Sequence, residues 1–394
     1  MSRHVKHPPF LRYFGSGALV VLAAALITSS IEGSWLFRHL ENANLDTWLL
    51  AKSVQVSPDV FVVSITDDDY RGLFQATSPL RPDVVKRIVN AIAAAGPRAL
   101  GVDLDTSEWD ANSAASLPKG VPIVWAREAS DDGKSLEKVL GGDGAGVCFG
   151  LPAFVPDEDG VIRRYPSQSS FAQHLVAACR DQESPAESKG DEGKLINFRG
   201  DLGAFDHLSS TALLALADTP QWTMNNPLKG RIVLLGGSFR AARDKYYTPL
   251  GRMDGVDILA HAAQSELPGG AVRSPGGAFF FALDLALGLV LVAGTWLLPR
   301  GWSLPAVFLG LPVVAFLASW AAFQSLGYFA SFVPVLGGVL IHEVIEHARE
   351  YRHLLHENTA LQHELAALEE EKKVEGHAHK APVAAHRGHD KGRR

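Results

Sequence analysis

Four apolar runs bracket one long polar segment, and that layout limits the folds open to the chain. The runs lie at 13–31, 278–298, 304–323 and 328–345 of 394 residues. At about 1.5 Å per helical residue, each is long enough to cross a hydrocarbon core roughly 30 Å thick. A run placed there must be helical, because only bonds within the helix satisfy its backbone polar groups without water. The expected organisation is therefore four transmembrane helices, with residues 32–275 forming one large domain between the first and the second.

Charges in the connecting segments orient this arrangement. Arg3, Lys6 and Arg12 precede the first run and Glu32 follows it. Arg300 lies between the second and third runs, and the loop at 324–327 carries no charge. Lys372, Lys373, Lys380, Arg387, Lys391, Arg393 and Arg394 lie in the tail beyond the last run. Positive residues favour the cytoplasmic side. Both termini, including residues 1–12, are thus expected in the cytoplasm, with the large domain on the other side of the membrane. A cleaved signal peptide is the competing reading of the first run. Its apolar stretch is long for that role, and no good small-x-small site follows it. The net charge of −6 combines a basic tail with a more acidic exported domain.

Strand and helix signals alternate through 32–275. VFVVSIT at 60–66 is a β-branched run of the kind buried on both faces of a parallel sheet. Pro82-Asp83 opens an amphipathic helix that continues to residue 95, where Gly96-Pro97 stops it. Residues 99–104 read as the next buried strand and complete a βαβ unit. Further strands are predicted at 122–126, 146–150, 161–165, 196–199 and 231–236, and helices at 171–180, 209–217 and 256–267. DEDG at 157–160 marks a tight turn. The expected fold class is α/β, a mixed, largely parallel sheet covered by helices.

Open sheets of this class bind ligands beyond the carboxyl ends of their strands. Asp67 follows the first strand, Asp103 ends the second, and Asp244 and Thr248 come after Gly236-Gly237-Ser238. With Arg81 and with His261 on the following helix, these residues make up a candidate ligand-binding crevice. Carboxylates there suit a divalent cation or a cationic solute. The same residues equally suit helix caps, turns and ion pairs, and His261 suits a core position. No Gly-Lys-Ser/Thr phosphate loop, G-x-S-x-G elbow or H-E-x-x-H pair occurs. Accordingly no catalytic activity, cofactor, metal centre or nucleic-acid partner is expected. Cys148 and Cys179 fall in the exported segment, where they suit either a disulfide or two buried thiols.

Three stretches taken together resemble the type-two CHASE domain, an extracytoplasmic sensory module of bacterial cyclases, kinases and related receptors. The strongest is GRIVLLGGSFRAARDKYYTPLGRMDGVDILAHAAQSEL at 230–267. The second is ITDDDYRGL at 65–73, followed by Arg81 and GVDLDTSE at 101–108, and the third is PDEDGVIRRYP at 156–166. They stand in the family order and cover nearly all of 35–270. The three closely spaced C-terminal runs also match the family layout. Thr77-Ser78-Pro79-Leu80 replaces the family's Trp-Pro-Trp-like segment, and if that aromatic pair lines a ligand pocket, recognition is altered or lost. Family members commonly carry a cyclase, kinase or phosphatase after the last span, and 346–394 carries none. The resemblance implies a membrane sensor that binds a periplasmic ligand or protein and signals through a separate cytoplasmic partner. The alternative is a structural or assembly subunit of an envelope complex, with the sensory fold serving as a protein–protein module.

Residues 346–373 read as a cytoplasmic helix or short coiled coil. Val344, His347, Tyr351, Leu354, Asn358, Leu361, Leu365 and Leu368 recur at heptad spacing. Such a seam suits a homodimer or a cytoplasmic or membrane partner. The basic, histidine-rich stretch 374–394 has the composition of a disordered tail.

Overall fold

Strand signals at 60–66 and 99–104 become the centre of a six-stranded sheet. The computed structural model describes residues 10–31, 34–51, 56–106, 109, 118, 120–126, 147–167, 170–179, 193–220, 222, 225–297 and 310–378. In chain order the elements are α1 (Phe10–Ile31), α2 (Trp35–Ala51), β1 (Val60–Ile65), α3 (Asp67–Gly72) and α4 (Pro82–Ala94). β2 (Ala99–Asp103), β3 (Ile123–Ala126), β4 (Val147–Gly150), β5 (Val155–Pro156), β6 (Ile162–Tyr165) and α5 (Phe171–Cys179) follow. Next come β7 (Lys194–Leu195), β8 (Asp206–Ser209), α6 (Ser210–Ala217), β9 (Ile232–Gly237), β10 (Lys245–Thr248), β11 (Gly251–Asp254) and α7 (Gly255–Glu266). The last helices are α8 (Gly277–Leu297), α9 (Leu311–Leu326) and α10 (Val333–Ala378).

The main sheet runs in the order β4-β3-β2-β9-β1-β8, and every neighbouring pair is parallel. Parallel strands need crossovers, and the crossover helices cover both faces. Alternate residues of β1 therefore enter different cores. Phe61, Val63 and Ile65 pack with α4 and α6 residues such as Ile88 and Leu213. Val60 and Val62 pack with α5 and α7 residues such as Phe171 and Leu259. This two-sided burial explains the unbroken apolar run at 60–65.

The expectation of a mixed sheet is corrected here. Antiparallel pairing is confined to the β10–β11 hairpin and to a separate β5-β6-β7 sheet. The strand expected at 196–199 is displaced to β7. Asn197 instead holds the chain to the end of α7, its backbone N–H donating to Ser265 Oγ at 2.9 Å and its amide donating to the Gly270 carbonyl at 2.6 Å. The unpredicted β8 has the polar sequence DHLS and lies at the sheet edge, where alternation of apolar residues is not required.

Arg163 on β6 is the most heavily bonded cation of this unit among the described residues. Its side chain is 2% exposed. Nε and Nη2 each donate to Asp46 of α2 at 2.8 Å. Nη1 reaches Asp157 at 2.8 Å and Asp159 at 2.9 Å, and Nη2 reaches Asp159 at 2.8 Å. Burial alone would lower the guanidinium's proton affinity, but these carboxylates raise it. Asp157 and Asp159 belong to the predicted DEDG turn, closed by a Gly160 N–H bond to the Asp157 carbonyl at 2.8 Å. One planar donor fork thus ties α2 to the β5–β6 turn.

The chain forms two compact units, Met1–Glu32 with Phe280–Leu311 and Pro334–Arg394, and Gly33–Phe279 with Pro312–Val333. The third apolar run is therefore divided. Residues 304–309 lie outside the described residues, and the aromatic-rich part from Pro312 onward belongs to the α/β unit. Trp48 of α2 packs against Phe316, Trp320 and Phe332 with ring centroids 4.9, 4.6 and 6.4 Å apart. Phe323 and Phe329 join the same core as the sheet. The loop after α9 is stitched to Arg273, whose N–H donates to Gly327 O at 2.9 Å and whose carbonyl accepts from Phe329 at 2.8 Å.

In the other unit, α1 and α8 approach through small residues. A Cβ on Gly17 would lie 2.7 Å from Val292 Cγ1. Four helices coincide with the four apolar runs, yet among the described residues no single helix is long and apolar enough to cross a membrane. Gly17–Ile31 and Trp35–Ala51 meet that requirement only as a broken pair, and Ala278–Val290 and Val313–Leu326 are shorter. α10 spans the helix expected at 346–373 and continues through Ala378, while residues 379–394 of the expected tail lie outside the described residues.

Replacing Arg163 with Met leaves three clustered carboxylates uncompensated. It is expected to destabilise the fold by about 3–5 kcal/mol in denaturant unfolding. Arg163→Lys should recover only part of this, because an ammonium cannot reproduce the fork. A loss below about 1 kcal/mol in Arg163→Met would contradict the assigned role.

Candidate functional site

β2 and β9 end side by side, with Asp103 in register with Gly236. The absence of a side chain at Gly236 lets α7 approach the strand end. A Cβ there would lie 2.7 Å from that of Val256. The segment leading into α7 carries Asp244 and β10, and Gly255 N–H donates to the Asp244 carbonyl at 3.0 Å. Asp103 and Asp244 come close enough for their charges to repel. Burial and then the charge of Asp244 push the Asp103 carboxyl up to about 7. Burial also raises Asp244, opposed by a hydrogen bond from Tyr246 and reinforced by the charge of Asp254. The Tyr246 hydroxyl is itself pushed up to about 12 by burial and by Asp244. The pair can receive a donor group or a single positive charge.

The other predicted crevice residues are elsewhere engaged. Asp67 begins α3 and accepts from the Arg240 backbone N–H at 2.9 Å, with Arg240 Nε 3.2 Å from its second oxygen. Arg81 precedes α4 and pairs with Asp83 at 2.8 Å on the exposed surface. Thr248 is buried and donates to the Gly251 carbonyl at 2.7 Å, closing the β10–β11 turn. His261 is 1% exposed, between Phe198 and Phe205 at centroid distances of 5.1 and 4.7 Å. Burial, and then Arg199, push its imidazole down to about 3. It is a neutral core histidine, and each of these four residues is engaged with partners other than Asp103 and Asp244.

Asp69, in the same acidic run as Asp67, is a structural residue. It completes a capping box with Thr66 and accepts from the Thr211 N–H of α6 at 2.9 Å. Burial alone would raise its carboxyl, but bonds from Thr211 and Thr66 hold it below the usual range. Among the described residues, no group of three or more His, Cys, Asp or Glu is placed to hold a metal ion. Cys148 Sγ lies 3.9 Å from the Ile123 carbonyl, and the side chain of Cys179 lies outside the described residues.

Tyr246 and Asp254 were not foreseen as site residues. Asp244 and Tyr246 stand two apart in a nearly extended segment, so their side chains share a side, and that spacing was the available signal. A second feature that the sequence did not suggest is a cleft of about 860 Å³ lined by Trp35, Arg38, His39, Asp157 and Glu158. Trp35 stacks on His39 at 5.7 Å, and Arg38 pairs with Glu158 at 2.9 Å. Its contact between α2 and the 155–159 segment could not be read from residues more than a hundred positions apart.

The sequence model of the CHASE2 domain matches residues 18–298, a span that contains Asp103, Asp244 and Arg163. No curated protein and no solved structure matches the chain.

The sign of the Asp103 effect is fixed by proton binding. The native state keeps this proton up to about pH 7, whereas an unfolded Asp releases it near pH 4. Between those values the native state binds more protons, so stability falls as pH rises through the window. Asp103→Asn removes that loss. Thermal unfolding should show the variant gaining on the order of 1 kcal/mol over wild type at pH 8 but nothing at pH 4. An equal difference at both values would reject the assignment.

Proposed function

The chain belongs to the CHASE2 family of extracytoplasmic sensory domains, and from that premise we propose that it is a bacterial membrane sensor signalling through a separate cytoplasmic protein. In this reading the apolar runs anchor the chain in the inner membrane, the α/β unit faces the periplasm, and both termini are cytoplasmic. The Asp103–Asp244 crevice takes a small ligand or a group on a partner protein.

One observation carries the reading. The sheet core continues into residues 312–333, and the chain passes directly from there into α10. Trp48 joins that segment to α2, which Arg163 fixes to the β5–β6 turn. A shift within the domain core therefore has a packed route to the start of the last helix, because packed interiors repack between discrete arrangements rather than deform smoothly.

Two measurements test this reading. Single cysteines at the exposed positions Arg252→Cys and His356→Cys, in a chain lacking Cys148 and Cys179, are treated in intact cells with a membrane-impermeant maleimide. Labelling at 252 alone is expected, and labelling at 356 before lysis refutes the orientation. Gentle detergent extraction should then recover a cytoplasmic signalling enzyme in stoichiometric amount. Recovery of envelope proteins alone would make the chain a structural or assembly subunit.

A further inference from the structure

α10 is one unbroken helix whose apolar seam has no cover among the described residues. Val344, Tyr351, Leu354, Leu361, Leu365 and Leu368 are each at least 50% exposed. They occupy the two core positions of a heptad repeat, with Asn358 and His347 filling the remaining places. Six large apolar side chains along one line in water favour a second helix packed over them.

The charges beside the seam decide which helix that is. The position preceding each first core residue is Glu343, Glu350, Glu357, Glu364 and Glu371, glutamate at five successive heptads. In a parallel pair, each of these faces the residue five places further along the partner. A second copy would set Leu355, Gln362 and Glu369 against Glu350, Glu357 and Glu364, with no positive charge and one acid–acid contact. In an antiparallel pair, glutamate would face glutamate. Like charges in these places disfavour association, and opposite charges select the partner.

We propose that α10 between Val344 and Leu368 docks an amphipathic helix of a different protein, whose apolar seam is flanked by lysine or arginine. Asn358 fixes the register by requiring a polar residue opposite it. This rests on the reading that output leaves through α10, and it supplies the chemistry of the receiving partner.

The test uses the full chain in lipid nanodiscs and two synthetic four-heptad peptides. Both peptides carry isoleucine and leucine core positions and one core asparagine. One has lysine at every flanking position and the other has glutamate. The lysine peptide should bind about tenfold or more tightly than the glutamate peptide, with the difference shrinking at high salt. Glu357→Lys with Glu364→Lys should reverse the preference, and Leu354→Asp with Leu361→Asp should abolish binding of both. Equal binding of the two peptides, or none of the lysine peptide, overturns the proposal. So does a disulfide formed between two copies of the Leu354→Cys chain in the absence of peptide, which would make the partner a second copy. The peptides bypass signalling, so these failures reject the partner chemistry, whereas labelling and co-purification independently judge the sensor reading.

Discussion

Arg163 carries the connection on which the domain's architecture rests. The parallel sheet is held by its own two-sided core, but α2 and the small β5-β6-β7 sheet meet at a buried guanidinium with three carboxylate partners. A desolvated cation is tolerated only where its donors are fully engaged, and five short bonds meet that condition. Because Asp46 is bound by two of them, the orientation of α2 is fixed as well as its position. The aromatic contact of Trp48 with Phe316 and Trp320 then depends on that placement. A neutral or flexible residue at 163 would leave α2 held by hydrophobic packing alone, which is less directional.

The Asp103–Asp244 pair follows a different logic. At Arg163 the carboxylates are outnumbered by good donors, whereas at Asp103 and Asp244 they repel each other. The first arrangement makes a rigid joint, and the second makes a place whose charge responds to a proton or a ligand. Both occur in one domain because the sheet ends and the β5–β6 turn have different access to cations. Lys245 pairs with Asp254 at 2.8 Å, and burial with the charge of Asp244 raises the Asp103 carboxyl. Perturbed carboxyls at the carboxyl ends of parallel strands are where ligand chemistry is expected in folds of this class.

Much of the fold was legible from sequence. Continuous apolar strands at 60–65 and 99–103 announced parallel pairing, and Pro82 with Gly96 bounded α4, because these signals act over a few residues. The polar edge strand β8 was missed, since an edge needs no apolar alternation. The candidate site was read less well. Asp67, Arg81, Thr248 and His261 have the residue types of a ligand site, but each is taken up by a local partner or by the core. Thr248 closes its own hairpin, and His261 lies between two phenylalanines. Nothing in the order of residues distinguishes a carboxylate that meets another from one that meets an arginine.

What the sequence determined by itself was periodic or local: the α/β class, the DEDG turn, the heptad seam of α10 and the row of glutamates beside it. Those features are set by repeat lengths of two, 3.6 and seven residues, and by turn residues that act on their own backbone. The tertiary structure alone decided that Arg163 reaches back 117 residues to Asp46. It also divided the third apolar run, placing its aromatic half with the α/β core, and brought Asp103 within electrostatic reach of Asp244. These outcomes depend on which surfaces meet after the chain closes, and hydrophobicity or charge along the chain carries no record of that distance.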